Sequence, residues 1–150
     1  MGTAVGGAIG GKLGAPERPV IAICGDGGFA MTGMEVLTAT TYNIPVIWIV
    51  FNDGRFNTVH HGMQMQYEGR TNATEFRQID IIGIARALGA RAETVCAPGQ
   101  ISSAMRSAIA ANVPTIIEVL VDRDEPPPIR SRVESLNRFF AEANEDLCQF

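Results

Sequence analysis

The run Val20-Ile-Ala-Ile-Cys24 leads directly into Gly25-Asp26-Gly27, and Val46-Ile-Trp-Ile-Val-Phe51 leads into Asn52-Asp53. Both apolar runs have the length and β-branched content of buried strands, and residues 31–42 between them have the length and composition of a helix. A strand, a helix and a second strand at this spacing predict a βαβ unit with a right-handed crossover and parallel strands. Both acidic turns then lie at the carboxyl ends of their strands, where open α/β sheets bind ligands.

The remaining sequence predicts one doubly wound α/β domain, a parallel sheet with helices on both faces. Further helices are predicted over residues 1–14, 79–88 and 101–111, and further strands over 91–95 and 114–121. The continuous apolar run of the last strand is typical of a parallel sheet covered on both faces. Residues 52–77 lack clear periodicity and are predicted to form a long loop, and loops of this length in compact domains are usually functional or disordered. We place the domain at residues 1–125, and a tail with a helix over 133–147 at residues 126–150.

Composition excludes several classes of protein. The 150 residues suit one domain, and a hydrophobic content of 46% is enough for a sizeable core. A net charge of -4 without a basic block argues against a nucleic-acid partner, and no apolar run is long enough for a membrane helix. Three widely spaced cysteines, Cys24, Cys96 and Cys148, indicate free thiols of a cytoplasmic protein rather than a disulfide framework or a metal site.

The chemistry of the predicted crevice follows from its charges. Gly27 and Gly28 allow a ligand to approach the backbone closely, and the amino end of a helix favours an anion such as phosphate. Asp26 and Asp53 would repel a phosphate unless a cation lies between them, and Mg²⁺ typically joins one or two carboxylates to substrate phosphates. The pattern therefore predicts a metal-bridged diphosphate site. The alternative is a pair of aspartates that only stabilise turns.

These residues resemble the diphosphate-binding motif of thiamine-diphosphate (ThDP) enzymes. The resemblance lies in Gly25-Asp26-Gly27-Gly28-Phe29, Glu35, Ala39, Pro45-Val46 and Asn52-Asp53, and in the preceding stretch from Met1 through Ala8-Ile9-Gly10 to Arg18-Pro19-Val20. The preceding stretch resembles the approach to this motif in the acetolactate synthase-like branch, and the match extends over residues 1–125 in element order and spacing. The resemblance implies the ThDP-binding fold, the cofactors ThDP and Mg²⁺, and a 2-oxo acid substrate for a decarboxylase or carboligase.

The resemblance also implies a role for each matching residue. Asp26 and Asp53 are the side-chain ligands of Mg²⁺, and the main-chain carbonyl of Arg55 is a further ligand. The other implied cofactor-binding residues are Gly25, Gly27, Gly28, Phe29, Phe56 and Asn57. Met1 falls where such enzymes place a bulky apolar residue beneath the cofactor.

Asp53 departs from the family pattern, because most members have Asn at this position. Asp there, followed by the Phe56-Asn57 pair, is similar to the catabolic, flavin-independent acetolactate synthases. Gly62 occupies the position at which the anabolic enzymes have an aromatic residue. We expect Arg55 to offset part of the added negative charge. A decarboxylase that releases an aldehyde stays open as an alternative.

No catalytic residue is assigned, and His60 and His61 are the candidates. They follow the Asn52-Asp53 turn in the predicted loop, and histidine titrates near physiological pH. The alternative is that both are solvated loop residues without contact to a substrate.

ThDP enzymes also need a pyrimidine-binding domain that supplies an activating glutamate, and no glutamate of this chain fits that role. The chain is therefore expected to be a fragment, a truncated reading or one subunit of a split enzyme, inactive alone. The expected partners are a pyrimidine-binding domain or subunit and further copies in a homodimer or homotetramer. The alternative from another class is a non-catalytic relic or regulatory ThDP-binding module. A generic nucleotide-binding domain is disfavoured, because no Gly-x-Gly-x-x-Gly follows a strand.

Overall fold

Among the residues that the computed structural model describes, four parallel strands form a sheet. They are β1 (Ile21–Gly25), β2 (Ile47–Asn52), β3 (Arg91–Val95) and β4 (Thr115–Leu120), in the spatial order β1-β2-β4-β3. All three neighbouring pairs are parallel, so the carboxyl ends of all four strands lie at one edge of the sheet. The βαβ unit predicted from the two apolar runs is confirmed.

The structure describes residues 1–126, 128, 131, 133–135 and 137–138. Its helices are α1 (Thr3–Gly14), α2 (Asp26–Thr32), α3 (Val36–Thr41), α4 (Asn57–Gln66), α5 (Ile81–Ala87) and α6 (Ile101–Ala111), with 3₁₀ turns at Gly33–Glu35 and Pro98–Gln100. The chain divides into two compact units. The first unit comprises Met1–Gly54 and Arg77–Asp122, and the second comprises Arg55–Phe76 and Arg123–Phe150.

The core of the first unit lies on both faces of the sheet. One cluster includes Trp48 and Val50 of β2 together with residues of α1, α2 and α5. The other cluster includes Ile47, on the opposite side of β2, together with Ala104 and Ala108 of α6. Neighbouring residues of one strand therefore enter different clusters, as the alternation of side chains along a strand requires. Helices cover both faces, which confirms the predicted doubly wound α/β class.

The first crossover helix begins earlier than predicted. We expected a helix over residues 31–42, but α2 begins at Asp26, immediately after β1. Gly25 is extended at this junction, with φ −82° and ψ 162°, and the glycines that follow it are helical. The crossover is also interrupted by the 3₁₀ turn at Gly33–Glu35 before α3 begins. The glycine-rich composition of residues 25–28 concealed the helix start, because glycine disfavours helices on average.

The loop predicted over residues 52–77 is wrong for residues 57–66, which form α4. The residues of this helix that are buried are His60 and His61. Because the buried side chains are polar, the segment shows no apolar periodicity from which a helix could be recognised.

The other predicted elements are present, with small shifts at their ends. Asp80 caps α5 by accepting a hydrogen bond from the Gly83 N–H at 2.7 Å. Residues 131, 133–135 and 137–138 are helical, and the rest of the helix predicted over 133–147 lies outside the described residues. The division into residues 1–125 and 126–150 stays a prediction. Within the described part of the chain, no helix has the length and hydropathy needed to cross a membrane.

Gly33→Ala is expected to lower the free energy of unfolding by about 1–3 kcal/mol, as overpacking a core does. A Cβ atom on Gly33 would lie 2.7 Å from the ring of Phe29, which is only 1% exposed. Gly10→Ala is the matched control, since nothing lies within 4 Å of its added Cβ, and alanine in a helix is more stable by about 1 kcal/mol. Thermal unfolding followed by circular dichroism measures both variants. A Gly33→Ala protein as stable as Gly10→Ala would contradict this packing.

Candidate functional site

Asp26 joins the two acidic turns predicted from the sequence. It is the first residue of α2, directly after β1, and it is 1% exposed. Its Oδ1 accepts a hydrogen bond from the Gly27 N–H at 2.7 Å. Its Oδ2 accepts from the N–H groups of Asp53 at 3.1 Å and Gly54 at 2.7 Å. One carboxylate therefore ties the end of β1 to the turn that follows β2.

Gly54 is a site residue that sequence reasoning missed. Its φ is +69°, in the left-handed region where a Cβ atom is unfavourable. This conformation accompanies the close approach of its N–H to Asp26. The signal was present in the sequence, because glycine directly after Asn52-Asp53 is typical of a turn that needs a positive φ.

The oxygen atoms at this edge fit a small hard cation. An ionised carboxylate offers about four lone-pair sites, and backbone N–H groups occupy three of those of Asp26. One site remains, and the half-buried Asp53 supplies a second carboxylate on the same turn. Across the described residues, no group of three or more His, Cys, Asp or Glu side chains could hold a metal ion. An ion here would therefore need main-chain carbonyls, water or phosphate as well, which is the usual coordination of Mg²⁺.

The turn residues implied by the resemblance differ in exposure. Gly25 is exposed, Gly27 is buried and Gly28 is half-buried. No atom lies within 4 Å of a Cβ built on Gly25, and one built on Gly28 would make only an ordinary 3.9 Å contact with Cys24. The side chain of Phe29 belongs to the core, so it supports α2 from within the unit.

Met1 is 79% exposed in this structure. Its assignment beneath the cofactor stays a prediction.

The Cys24 thiol lies directly before Gly25, and its raised pKa favours the protonated form at neutral pH. Burial raises its pKa to about 11, and the negative charge of Asp26 contributes to this shift. Cys24 and Cys96 are free thiols, and Cys148 lies outside the described residues. The prediction of free thiols is therefore confirmed for the two described cysteines.

The second unit contains the other residues that the resemblance singles out. Arg55 is 8% exposed and forms ion pairs with Glu75 at 3.4 Å and Asp124 at 3.8 Å. Its Nη1 also donates a hydrogen bond to the main-chain carbonyl of Arg123 at 3.3 Å. These contacts engage the guanidinium within its own unit. Its expected effect on Asp53, and the role of its carbonyl as a metal ligand, stay predictions.

Phe56 and Asn57 also contact residues of the second unit. The rings of Phe56 and Phe76 pack with their centroids 4.9 Å apart. Asn57 donates from Nδ2 to the main-chain carbonyl of Arg123 at 3.1 Å. These contacts give both side chains a structural role, and their assignment to cofactor binding stays a prediction.

His60 and His61 are buried on α4, which contradicts the alternative that both are solvated loop residues. The Nδ1 of His60 is hydrogen-bonded to the Thr74 hydroxyl at 2.8 Å. The Nε2 of His61 lies 3.3 Å from the main-chain carbonyl of Arg123. Burial lowers the pKa of His60 below its ordinary value, and the positive charges of Arg55 and His61 lower it further. The folded protein thus favours a neutral His60.

The lowered pKa of His60 predicts that the folded protein loses stability on acidification. The unfolded chain binds a proton at His60 more readily than the folded chain does, so stability falls as the pH drops below the ordinary value of 6.5. Denaturant unfolding at about pH 7.5 and about pH 5.5 measures the loss. His60→Gln keeps a side chain that can bond to Thr74 but does not titrate, so it is expected to lose less stability over this interval. Equal losses in the two proteins would contradict the assignment.

Comparison with known proteins agrees with this geometry. The family model described as the thiamine pyrophosphate enzyme C-terminal TPP binding domain matches residues 1–119. Thiamine pyrophosphate is another name for ThDP. Acetolactate synthase of Bacillus subtilis (strain 168) is 37% identical over 122 residues, which are 81% of this chain and 21% of that protein. Sulfoacetaldehyde acetyltransferase of Castellaniella defragrans is 32% identical over 126 residues, which are 81% of this chain and 21% of that protein.

A solved structure shows the same fold. The ThDP-dependent 4-hydroxybenzoylformate decarboxylase of Rhodococcus jostii RHA1 superimposes with a TM-score of 0.77 and 31% sequence identity. The match covers 83% of this chain and 24% of that chain. The chain thus spans about a fifth to a quarter of the length of the relatives it matches. It belongs to the family of thiamine-diphosphate enzymes, in the acetolactate synthase-like branch, and contains their C-terminal cofactor-binding domain.

Proposed function

We propose that this chain binds the diphosphate of ThDP through Mg²⁺ held by Asp26, Asp53 and the main-chain carbonyl of Arg55. The observation that carries the proposal is the contact of the Asp26 carboxylate with the N–H groups of Asp53 and Gly54. It holds two acidic turns together at the carboxyl edge of a parallel sheet, where α/β proteins bind ligands. The Arg55 ligand rests on the sequence resemblance.

In this proposal, residues of the first unit bind Mg²⁺ and so orient the diphosphate of ThDP. Asp26 is 1% exposed and accepts hydrogen bonds from three backbone donors, so its carboxylate is already oriented before an ion binds. Such preorganisation lowers the entropic cost of binding. Asp53 adds a second negative charge and raises the attraction for a divalent cation. When bound, ThDP supplies an electron sink for the decarboxylation of a 2-oxo acid.

The whole protein is proposed to be a 2-oxo-acid decarboxylase or carboligase, supported by the similarity to acetolactate synthase. A pyrimidine-binding domain or subunit supplies the activating glutamate, since this chain spans only about a fifth of the relatives' length. We also propose a cytoplasmic homodimer or homotetramer. The similarity to a 4-hydroxybenzoylformate decarboxylase supports a second candidate, a decarboxylase that releases an aldehyde.

Product analysis of the protein assembled with its pyrimidine-binding domain separates these reactions. With pyruvate, ThDP and Mg²⁺, a carboligase gives CO₂ and acetolactate, whereas a simple decarboxylase gives CO₂ and acetaldehyde. Asp80→Asn is a control that retains the α5 cap and lies outside the proposed metal site. Binding of ThDP without CO₂ release from pyruvate or from an aromatic 2-oxo acid would contradict the catalytic proposal and favour a non-catalytic binding module.

A further inference from the structure

Glu118 is a buried carboxylate in the middle of the sheet that the proposed site does not yet explain. It lies on β4 and is 7% exposed. Its Oε1 accepts a hydrogen bond from Asn52 Nδ2 at 2.6 Å, and its Oε2 accepts from the Thr94 hydroxyl at 2.8 Å. Within residues 1–126 and the few described beyond them, no cation pairs with it at 4 Å or less. Among the described residues, this buried carboxyl group is thus held by the neutral donors Asn52 and Thr94.

Asn52 links this carboxylate to the turn that contains Asp53. Its side chain is 2% exposed, and Nδ2 donates to both Glu118 and the main-chain carbonyl of Ile79, the latter at 2.9 Å. Both amide protons therefore have acceptors, which fixes the orientation of the side chain. Asn52 ends β2, and the next residue is Asp53, whose N–H donates to Asp26.

A continuous series of contacts therefore runs from the sheet interior to the proposed ligands. It passes from Thr94 on β3 to Glu118 on β4, then to Asn52 on β2, and through the next peptide group to Asp26 at the start of α2. Asp53 follows Asn52 directly in the turn after β2, so holding Asn52 fixes the peptide group at which that turn begins. All of these residues belong to the first unit.

We propose that Glu118 is a positioning residue of the metal site. Its carboxylate, held by Thr94, fixes the amide of Asn52 and so sets the orientation of Asp53 beside Asp26. The inference rests on the proposed binding of Mg²⁺ and ThDP, and it adds a supporting layer to that site. Supporting partners of metal ligands of this kind commonly change metal affinity when they are removed.

A carboxylate at this buried position is unfavourable unless its two oxygen atoms accept hydrogen bonds that the structure requires. Burying a carboxyl group is costly unless its oxygens are hydrogen-bonded, and the neighbouring residues Ile116 and Ile117 show that this strand accommodates apolar side chains. Both oxygens of Glu118 accept hydrogen bonds, so the NH₂ group of Asn52 faces it rather than the amide oxygen. A residue that merely filled space would impose no such orientation.

The test compares three variants of the protein assembled with its pyrimidine-binding domain, titrated calorimetrically with ThDP in the presence of Mg²⁺. Glu118→Met keeps the side-chain length but removes both acceptors, and it is expected to weaken binding about 10-fold to 100-fold. Glu118→Gln keeps an acceptor for Asn52 and is expected to restore binding to within about threefold of the unchanged protein. Ile117→Ala weakens the same strand from the opposite face, so it is expected to lower the melting temperature without changing the affinity.

Thr94→Val is a milder variant, which keeps the test decisive if the Glu118→Met protein does not fold. It removes only the hydroxyl that supports Glu118, and it is expected to weaken ThDP binding about threefold or more. Unchanged affinity in Glu118→Met or in a folded Thr94→Val protein would overturn the inference alone, as would equal losses in Glu118→Met and Ile117→Ala. No magnesium-dependent ThDP binding by the unchanged protein would overturn the proposed function, and this inference with it.

Discussion

Asp26→Asn is expected to abolish magnesium-dependent ThDP binding and to lower the free energy of unfolding by about 2 kcal/mol. Both oxygens of Asp26 accept from backbone donors, Oδ1 from Gly27 and Oδ2 from Asp53 and Gly54. An amide has only one oxygen, so in either orientation its NH₂ group faces a backbone N–H. Because Asp26 is 1% exposed, the displaced donors have little access to water. The usual near-equivalence of Asp and Asn does not hold here.

Asp80→Asn is the matched control for this variant. Asp80 is exposed and accepts one hydrogen bond, from Gly83, at the start of α5. Asparagine caps a helix about as well as aspartate, so this change is expected to alter stability by less than about 0.5 kcal/mol. Denaturant unfolding and calorimetry measure both variants. An Asp26→Asn protein that matches Asp80→Asn in stability and ThDP affinity would show that Asp26 is an ordinary turn residue.

Asp53→Ala is expected to weaken magnesium-dependent ThDP binding by about 100-fold, or about 2.8 kcal/mol. The variant removes a proposed metal ligand and one of two carboxylates at the site. The tie to Asp26 is retained, because that contact uses the main-chain N–H of residue 53. The loss is therefore expected in cofactor affinity rather than in stability, and calorimetric titration at fixed Mg²⁺ measures it.

Asp53→Asn distinguishes the contribution of the oxygen ligand at residue 53 from that of its negative charge. Asparagine is the residue that most ThDP enzymes have at this position, and it keeps an oxygen ligand. Asp53→Asn is therefore expected to retain most of the affinity that Asp53→Ala loses. Equal affinity in the Asp53→Ala and unchanged proteins would exclude Asp53 as a ligand. Equal losses in Asp53→Ala and Asp53→Asn would mean that the negative charge, rather than the oxygen ligand, determines the affinity.

The fold could be predicted because its signals are local and apolar. The runs at residues 20–24 and 46–51 have the length and composition of buried strands, and the parallel arrangement followed from the helical segment between them. The polar buried side of α4 gave no such signal, since His60 and His61 replace the expected apolar side chains. The early start of α2 was concealed because glycines follow Asp26.

Only the part of the site that follows from the parallel strand arrangement could be predicted from the sequence. Parallel strands place residues 26 and 53 at the same sheet edge, and the structure brings their turns into contact. The contact between Asn52 and Glu118 joins residues 66 positions apart, and it depends on β4 lying between β2 and β3. Strand order of this kind is set by packing of the whole sheet, and a glutamate within an apolar run gives no sign of its partners.

Metal dependence of ThDP binding tests the central claim most directly. The protein assembled with its pyrimidine-binding domain is titrated with ThDP in the presence of Mg²⁺ and again after chelation of divalent cations with EDTA. A site built on Asp26 and Asp53 requires the cation to bridge carboxylates and diphosphate, so we predict saturable heat with Mg²⁺ and none with EDTA. Equal ThDP affinity under both conditions would contradict the metal-bridged site.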